Sequence, residues 1–466
     1  MTRTARKSAR PARARLRAPV LLAAAGVVMA AGSLPAEQQT TLGDARRVFV
    51  HVPVSLRALA DNVYQATGNG NSHLIHTSEG NVVFDTGNAF AGQADDHYRL
   101  LRDAAPGPIR YVIYSHSHPD HIGGHRYWAT ENPAFITHRE FEEERRYTRA
   151  LGGFGGRRVG RIRSGLTVPQ RPAEQSPQSG SSEPPPPAVP LTPDILVGDG
   201  DYAFELGGVR FEVLDTPGGE GPDNVSLWLP QQRILFTGDT LGFLWEGFPN
   251  LFTMRGEKTR RPAEYIRTID RLIALEPDMV VPGHHDPIRG RDNVLNGLRK
   301  VRDAVRYVHD AVLAGMNEGK TVHQVMAEVT LPPELDLHQG HGKVSWGVKS
   351  IWEYYGTWFH FDTTAELYHV PARDVYDELA ELAGTDPLLA RARQHLDGGR
   401  PLHALHFIEV ALSGAPEHVP ALQLYIEVHE RLLAASGDAD NAYEQGYLQA
   451  EINETEETLE NLQSGR

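Results

Sequence analysis

Four residues able to bind a metal ion stand within six positions, in the run His116-Ser117-His118-Pro119-Asp120-His121. Zinc takes imidazole nitrogen and carboxylate oxygen, and a catalytic zinc site keeps a position open for water. The chain has no cysteine. Thiolate sites and disulfide frameworks are therefore excluded, and any metal must rest on His, Asp and Glu. His116 and His118, two apart, point into one pocket, while Asp120 and His121 serve a second metal. One His in such a place is more often structural than a ligand. Four together, between a strand and a Gly-Gly turn, are read as a metal site.

The strand is Tyr111-Val112-Ile113-Tyr114, and Gly123-Gly124 marks the turn after the run. Other short β-rich runs stop in the same manner. Val82-Val83-Phe84 ends at Asp85, and Phe211 to Leu214 runs into Asp215-Thr216-Pro217-Gly218. Ile234 to Thr237 runs into Gly238-Asp239-Thr240, and Met279 to Val281 into Pro282-Gly283-His284-His285. Strands that repeatedly end in Gly, Asp or His predict a layered α/β fold with its site at the strand ends. These ends supply what the His run lacks. Glu220 is placed to complete the first metal and Asp239 to bridge both. His284 or its neighbour His285 completes the second; His284 is preferred because it directly follows Gly283.

A length of 466 residues favours two domains. The predicted hydrolase domain spans 45–300. Within it, residues 152–193 combine Gly152-Gly153-Phe154-Gly155-Gly156 with Pro184 to Pro187, and read as a flexible insertion. After Lys300 the apolar spacing becomes helical: Leu388, Leu389, Ala392 and Leu396, then Ala404, Ile408 and Ala411, then Leu422, Tyr425, Val428 and Leu432. This predicts an all-helical domain over 301–460. At the other end, Arg3, Arg6, Lys7, Arg10, Arg13, Arg15 and Arg17 precede a short apolar run from Pro19 to Gly32. That layout predicts a signal peptide over 1–36 and a periplasmic or secreted protein. The net charge of −14 opposes nucleic-acid binding, whose footprint is basic.

The segment His116 to Gly124 resembles the signature of the metallo-β-lactamase superfamily, whose fold is an αββα sandwich with a dinuclear metal site. Thr216-Pro217-Gly218-Gly219-Glu220-Gly221-Pro222, Asn250 to Gly256 and Val348 to Trp358 are similar to the zinc-dependent alkyl sulfatases. The resemblance covers Val48 to Ala450. It implies two Zn2+ per chain: one on His116, His118 and Glu220, the other on Asp120, His121 and His284, with Asp239 bridging. Asp120 and Asp239 are then the catalytic carboxylates. Arg255 and Arg260 stand where that family binds sulfate, with Asn250 assisting; a planar guanidinium suits an oxyanion. The resemblance also implies a homodimer through the helical domain, and hydrolysis of an anionic alkyl sulfate ester by a metal-bound hydroxide. Two departures stand out. The family commonly bridges with Glu rather than Asp, and its larger members add a sterol-carrier-like domain that is not expected in this chain. The alternatives are hydrolysis of a lactone, β-lactam, thioester or phosphodiester on the same site, and a non-enzymatic metal-binding interaction protein.

Overall fold

The computed structural model describes residues 52–166, 185–251, 253–437 and 441–465. The expected signal segment, 1–36, lies outside them. Two sheets form the centre. The first runs in spatial order β1 (Ser55–Ala60), β2 (Val63–Thr67), β3 (Ser72–Thr77), β4 (Gly80–Thr86), β5 (Ile109–Ile113), β6 (Ala134–His138) and β7 (Ile195–Val197). It is antiparallel from β1 to β4 and parallel from β4 to β7. The second sheet is built from β8 (Tyr202–Leu206), β9 (Val209–Asp215), β10 (Val225–Leu229), β11 (Ile234–Gly238), β12 (Met279–Pro282) and β13 (Ile288–Arg289). Its β11–β12 pair is parallel and its other pairs are antiparallel.

Side-chain alternation along each strand separates the layers. Val82, Phe84, Ile113, Ile136, Val213, Leu227, Phe236 and Val281 fill the space between the sheets. Val83, Val112 and Tyr114 face the other way and pack with Leu101 of the helix Gln93–Ala104. On the outer face of the second sheet, Trp228, Leu235 and Val280 meet Tyr265, Ile269 and Leu272 of the helix Pro262–Ala274. Strands covered on both faces read as unbroken apolar runs, which is why Val82-Val83-Phe84 has no polar alternation. The result is the expected αββα sandwich followed by helices.

Two expectations need correction. The boundary at residue 300 falls inside one helix, Arg291–Asn317, whose buried stripe runs from Val294 and Leu298 to Val308 and Val312 against the second sheet. The layered core therefore continues past that point, to Ile351 and Trp352 of the helix Val344–Gly356. Residues 152–193 are not an irregular loop throughout. Gly152–Gly165 is a helix, and the stretch after it returns to the core through buried Leu191 and the Pro190 carbonyl, 3.4 Å from His125 Nε2. Residues 167–184 lie outside the described set.

The helical part packs as its spacing predicts. Ala392, Leu396, Ala404, Ile408, Leu424 and Val428 form its core. Its last helix, Ala442–Ser464, returns to lie on Gly152–Gly165. There a Cβ at Gly165 would come within 2.0 Å of the Gly446 carbonyl oxygen, so only glycine permits the approach. Arg161 also binds Glu451 at 2.8 Å across this contact. No helix among the described residues is long and apolar enough to cross a membrane.

One buried histidine sets an acid limit on the fold. His97 is fully buried, with Nε2 2.9 Å from the Thr67 carbonyl and Nδ1 3.1 Å from Ser72 Oγ. Burial lowers its pKa from 6.5 to about 4. Between those values the unfolded chain holds a proton that the folded chain lacks, so stability falls as pH drops through the window. The full loss is on the order of 3 kcal/mol. Urea midpoints measured from pH 7 to pH 4 should show a shallower decline in His97→Gln than in the parent chain.

Candidate metal centre

β5, buried at Ile109, Val112 and Ile113, carries the chain to Ser115 at the edge of the site. His116 follows, fully buried, and His118 precedes a short helix, Pro119–Ile122, with Pro119 in its first turn. Proline suits that position because its fixed φ is helical and the missing N–H would have no helical partner. The turn places Asp120 at the cavity and His121 beneath it.

Asp85, at the end of the neighbouring β4, fixes this loop. Its Oδ1 accepts from the Ser115 backbone N–H at 2.7 Å, and its Oδ2 from Ser115 Oγ at 2.7 Å. The same Oδ2 lies 2.9 Å from His121 Nδ1. Ser115 Oγ stands 3.0 Å from His116 Nδ1. Both imidazoles are thus held from behind and turn Nε2 forward. Asp85 adopts a φ of 57°, a left-handed conformation that costs a non-glycine residue energy.

The second sheet brings the remaining groups. Asp239 follows Gly238 at the end of β11, and His284 follows Gly283 after β12. Asp239 Oδ2 is 3.1 Å from His284 Nε2 and 3.4 Å from His121 Nε2. Asp120 Oδ2 is 3.4 Å from His284 Nε2 and 3.9 Å from His121 Nε2. Gly283 is required here, because a Cβ would sit 2.2 Å from Asp239 Oδ1 and 2.6 Å from His121 Cε1. His118 Nδ1 faces Glu220 at 3.8 Å. The ring centroids of His116 and His118 are 4.5 Å apart, and those of His116 and His121 4.2 Å apart.

These residues fit a metal. His116 Nε2, His121 Nε2 and Asp239 Oδ1 are buried with no hydrogen-bond partner, a costly condition unless something outside the chain satisfies them. Three donor sets each gather within 4.8 Å: His116, His121 and Asp239; Asp120, His121 and His284; and His118, Glu220 and Glu257. Each of the seven expected ligands falls in one of these sets, but His116 gathers with His121 and Asp239, while His118 and Glu220 gather with Glu257. His284, rather than His285, faces the carboxylates.

The substrate-binding expectations divide. Arg255 lines the cavity, with Nη1 donating to Tyr443 Oη at 2.9 Å and Nε to Glu257 Oε1 at 3.0 Å. Desolvation opposes its charge, but Glu257, Tyr443 and Glu220 outweigh that and hold it cationic well above the usual range. Arg260 does not reach the cavity wall. It is buried behind Glu220 and grips it with two bonds, Nη1 to Oε1 at 2.7 Å and Nη2 to Oε2 at 2.6 Å. Each carboxylate oxygen keeps a second lone pair, so Glu220 remains able to bind a metal while Arg260 fixes its plane. Asn250 is also set back: its carbonyl accepts from Arg260 at 2.7 Å, and its side chain is buried.

Four further residues belong to the site. Asp85 appears in the sequence only as a strand end. Glu257 lies 3.7 Å from His118 Nε2, and desolvation of its carboxyl is outweighed by Arg255, His118 and Arg260, which hold it well below the usual carboxylate range. His341 lines the cavity as a neutral imidazole, its pKa depressed by burial and then by Arg255 and Arg260. Tyr443 comes from the last helix. The setting of Glu257 as a lone acid among Arg255, Lys258, Arg260 and Arg261 is the one sequence signal that points to it. Because Asp85 orients His121, Asp85→Ala should weaken metal binding roughly 10- to 100-fold in a chelator competition while leaving the sheets intact by circular dichroism.

Residues 66–284 match the Metallo-beta-lactamase superfamily, and residues 321–454 match the Alkyl sulfatase dimerisation family. A linear primary-alkylsulfatase from Pseudomonas sp. is 29% identical over 333 residues, covering 68% of this chain and 62% of the relative. The alkyl/aryl-sulfatase BDS1 of Saccharomyces cerevisiae is 24% identical over 412 residues, covering 84% of this chain and 63% of the relative. The solved structure of the stereoselective inverting sec-alkylsulfatase Pisa1 from Pseudomonas sp. superposes with a TM-score of 0.72 at 26% identity, covering 86% of this chain and 66% of that one. The chain thus spans less than two thirds of the length of these curated relatives.

Proposed function

We propose, for a chain whose residues 66–284 belong to the metallo-β-lactamase superfamily and 321–454 to the alkyl sulfatase dimerisation family, that it is a dinuclear zinc hydrolase of alkyl sulfate esters. One observation carries this reading. A cavity of about 380 Å³ joins His118, Asp120, Glu220, Asp239, His284 and Arg255 to the apolar surface of Leu151, Val159, Tyr147 and Phe243. That is a seat for an anionic head on an apolar body.

Two zinc ions on these ligands would supply Lewis acidity and a nucleophilic oxygen at neutral pH. The chain's own residues do the rest. Arg255 binds the sulfate head, and Glu257 and Tyr443 hold its guanidinium in place. Asp85 and Ser115 aim His121 and His116, and Arg260 sets the plane of Glu220. Asp120 and Asp239 act by holding the metals. His341 offers a neutral ring to the bound ester.

The test is a panel on protein of measured metal content: an alkyl sulfate, a β-lactam, a lactone, a thioester and a phosphodiester. Sulfate release is the expected result. Hydrolysis of another ester with none of the sulfate overturns the reading. The basic, then apolar, start of the sequence supports export to the periplasm or beyond, within the same proposal.

A homodimer is part of this reading. Trp358 is 66% exposed and Phe361 85% exposed, and both rings meet Phe359 in tilted contacts, at centroid distances of 5.6 Å and 4.4 Å. Large exposed aromatics gathered in one place support a contact surface here, and the dimerisation family match covers them. Trp358→Asp combined with Phe361→Asp should yield monomers by light scattering where the parent chain is a dimer.

A further inference from the structure

Asn441 is fully buried, and its side chain makes four hydrogen bonds. It caps the last helix, Ala442–Ser464: Oδ1 accepts from the backbone N–H groups of Tyr443 and Glu444, both at 3.2 Å. Capping needs only that oxygen, and Asp or Ser would supply it equally well. What those residues lack is the amide nitrogen. Asn441 Nδ2 donates to the Gln339 carbonyl at 2.8 Å and to the His341 carbonyl at 3.2 Å. With acceptors on one side and donors on the other, the amide has one workable orientation. The presence of Asn, rather than Asp or Ser, therefore reports a tie as well as a cap.

The tie joins positions 102 residues apart. Its near end is a loop fixed to the core. Gln339 Oε1 accepts from the Val344 N–H at 2.8 Å, and a Cβ at Gly342 would stand 2.3 Å from the Pro249 carbonyl oxygen, so the loop is pressed against the chain next to Asn250. Its far end leads straight to the cavity. Tyr443 Oη accepts from Arg255 Nη1 at 2.9 Å, and the Tyr443 ring lies 5.5 Å from that of His341. A second tie runs beside the first, from Lys343 Nζ to Glu444 Oε2 at 2.7 Å. We propose that Asn441 is a positioning residue for the anion seat: it binds the first turn of the last helix to the loop 339–341 and so holds Tyr443 on the Arg255 guanidinium. The last helix is thereby part of the seat, and its anchorage sets how tightly the anionic head is held. This rests on the reading of Arg255 as the group that binds the head.

The test uses metal-loaded full-length protein and n-butyl sulfonate, which carries the anionic head without an ester to hydrolyse. Affinity is read by calorimetry, apart from turnover. Asn441→Asp and Asn441→Ser keep the cap and lose both donated bonds. Each should weaken sulfonate binding about tenfold, with helical content and metal content unchanged. Asn441→Asp should be the weaker binder, because its carboxylate faces two carbonyl oxygens. The effect must also run through Tyr443. In a Tyr443→Phe background, which lacks the hydroxyl on Arg255, Asn441→Ser should cost less than about twofold. A merely structural role would cost the same tenfold in both backgrounds. Should the 441 variants fail to fold, Glu444→Gln decides instead. It removes a negative charge, so electrostatics alone would tighten anion binding, whereas loss of the second tie should weaken it about threefold.

Sulfonate affinity within about twofold of the parent chain in both 441 variants overturns the proposal. So does an undiminished loss in the Tyr443→Phe background, or, where Glu444→Gln decides, binding as tight as the parent's or tighter. If Arg255→Ala abolishes binding while these variants leave it intact, the tie falls and the anion seat stands. A parent chain that binds no sulfonate removes the seat itself, and the sulfate-ester reading with it.

Discussion

On the proposed dinuclear zinc reading, Asp239→Asn should lower sulfate-ester turnover by on the order of a thousandfold and leave one zinc ion or fewer per chain. Asp239 is the only carboxylate within 3.5 Å of both His121 Nε2 and His284 Nε2 among the described residues, at 3.4 Å and 3.1 Å. Its other oxygen is buried without a hydrogen-bond partner, so both oxygens are committed to the centre. Asparagine keeps the size but replaces one oxygen with an NH2 group, which cannot ligate and carries no charge. A bridge therefore becomes at most a single contact, and metal affinity depends on ligand charge and count. Asp239→Glu should also fail. An added methylene would push the carboxylate out of its place between His121 Nε2 and His284 Nε2, towards the cavity that Asp239 lines. Elemental analysis, sulfate release and circular dichroism on the same samples decide the matter. Two zinc ions retained with turnover within tenfold of the parent chain would rule out a bridge at this position.

The parts of this site that the sequence revealed are those set by local backbone. The run from His116 to His121 is contiguous, so its ligands could be recognised without knowing the fold. Glu220, Asp239 and His284 are legible because each stands in the loop that follows a strand, and such loops from two facing sheets converge. What the sequence hid depends on which side chain meets which across the fold. Arg255 and Arg260 look alike in the chain, yet one lines the cavity and the other clamps Glu220 from behind. Glu257 looks like a surface acid until it is seen beside Arg255 and His118. The stretch Gly152–Gly165 reads as a loop in the sequence because its glycines have weak helix propensity. Its order comes from packing on Ala442–Ser464, a partner remote in sequence. No domain boundary falls at residue 300 for a related reason: the buried stripe of Arg291–Asn317 continues across it.

Arg255→Ala should cut kcat/KM for an alkyl sulfate roughly 100- to 1,000-fold with zinc content unchanged, the range for removing one preorganised donor to a developing oxyanion. The guanidinium is already fixed before substrate arrives, by Tyr443 at 2.9 Å and Glu257 at 3.0 Å. Little ordering remains to be done on binding, which is where a planar fork exceeds a flexible ammonium. Arg255→Lys should therefore recover only a small part of the loss, since one ammonium cannot hold Tyr443, Glu257 and the sulfate together. Removing Arg255 also has a second consequence. Glu257 would keep Arg260 as its one arginine partner, at 2.9 Å, and would turn uncompensated negative charge towards the cavity. Part of the defect in Arg255→Ala is thus repulsion of the sulfate rather than lost attraction. It follows that Arg255→Ala combined with Glu257→Gln should be less impaired than Arg255→Ala alone. Competitive inhibition by inorganic sulfate should follow the same order across the variants, independently of turnover. Equal kcat/KM and equal sulfate inhibition in Arg255→Ala and the parent chain would instead place the anion elsewhere, on the metals alone.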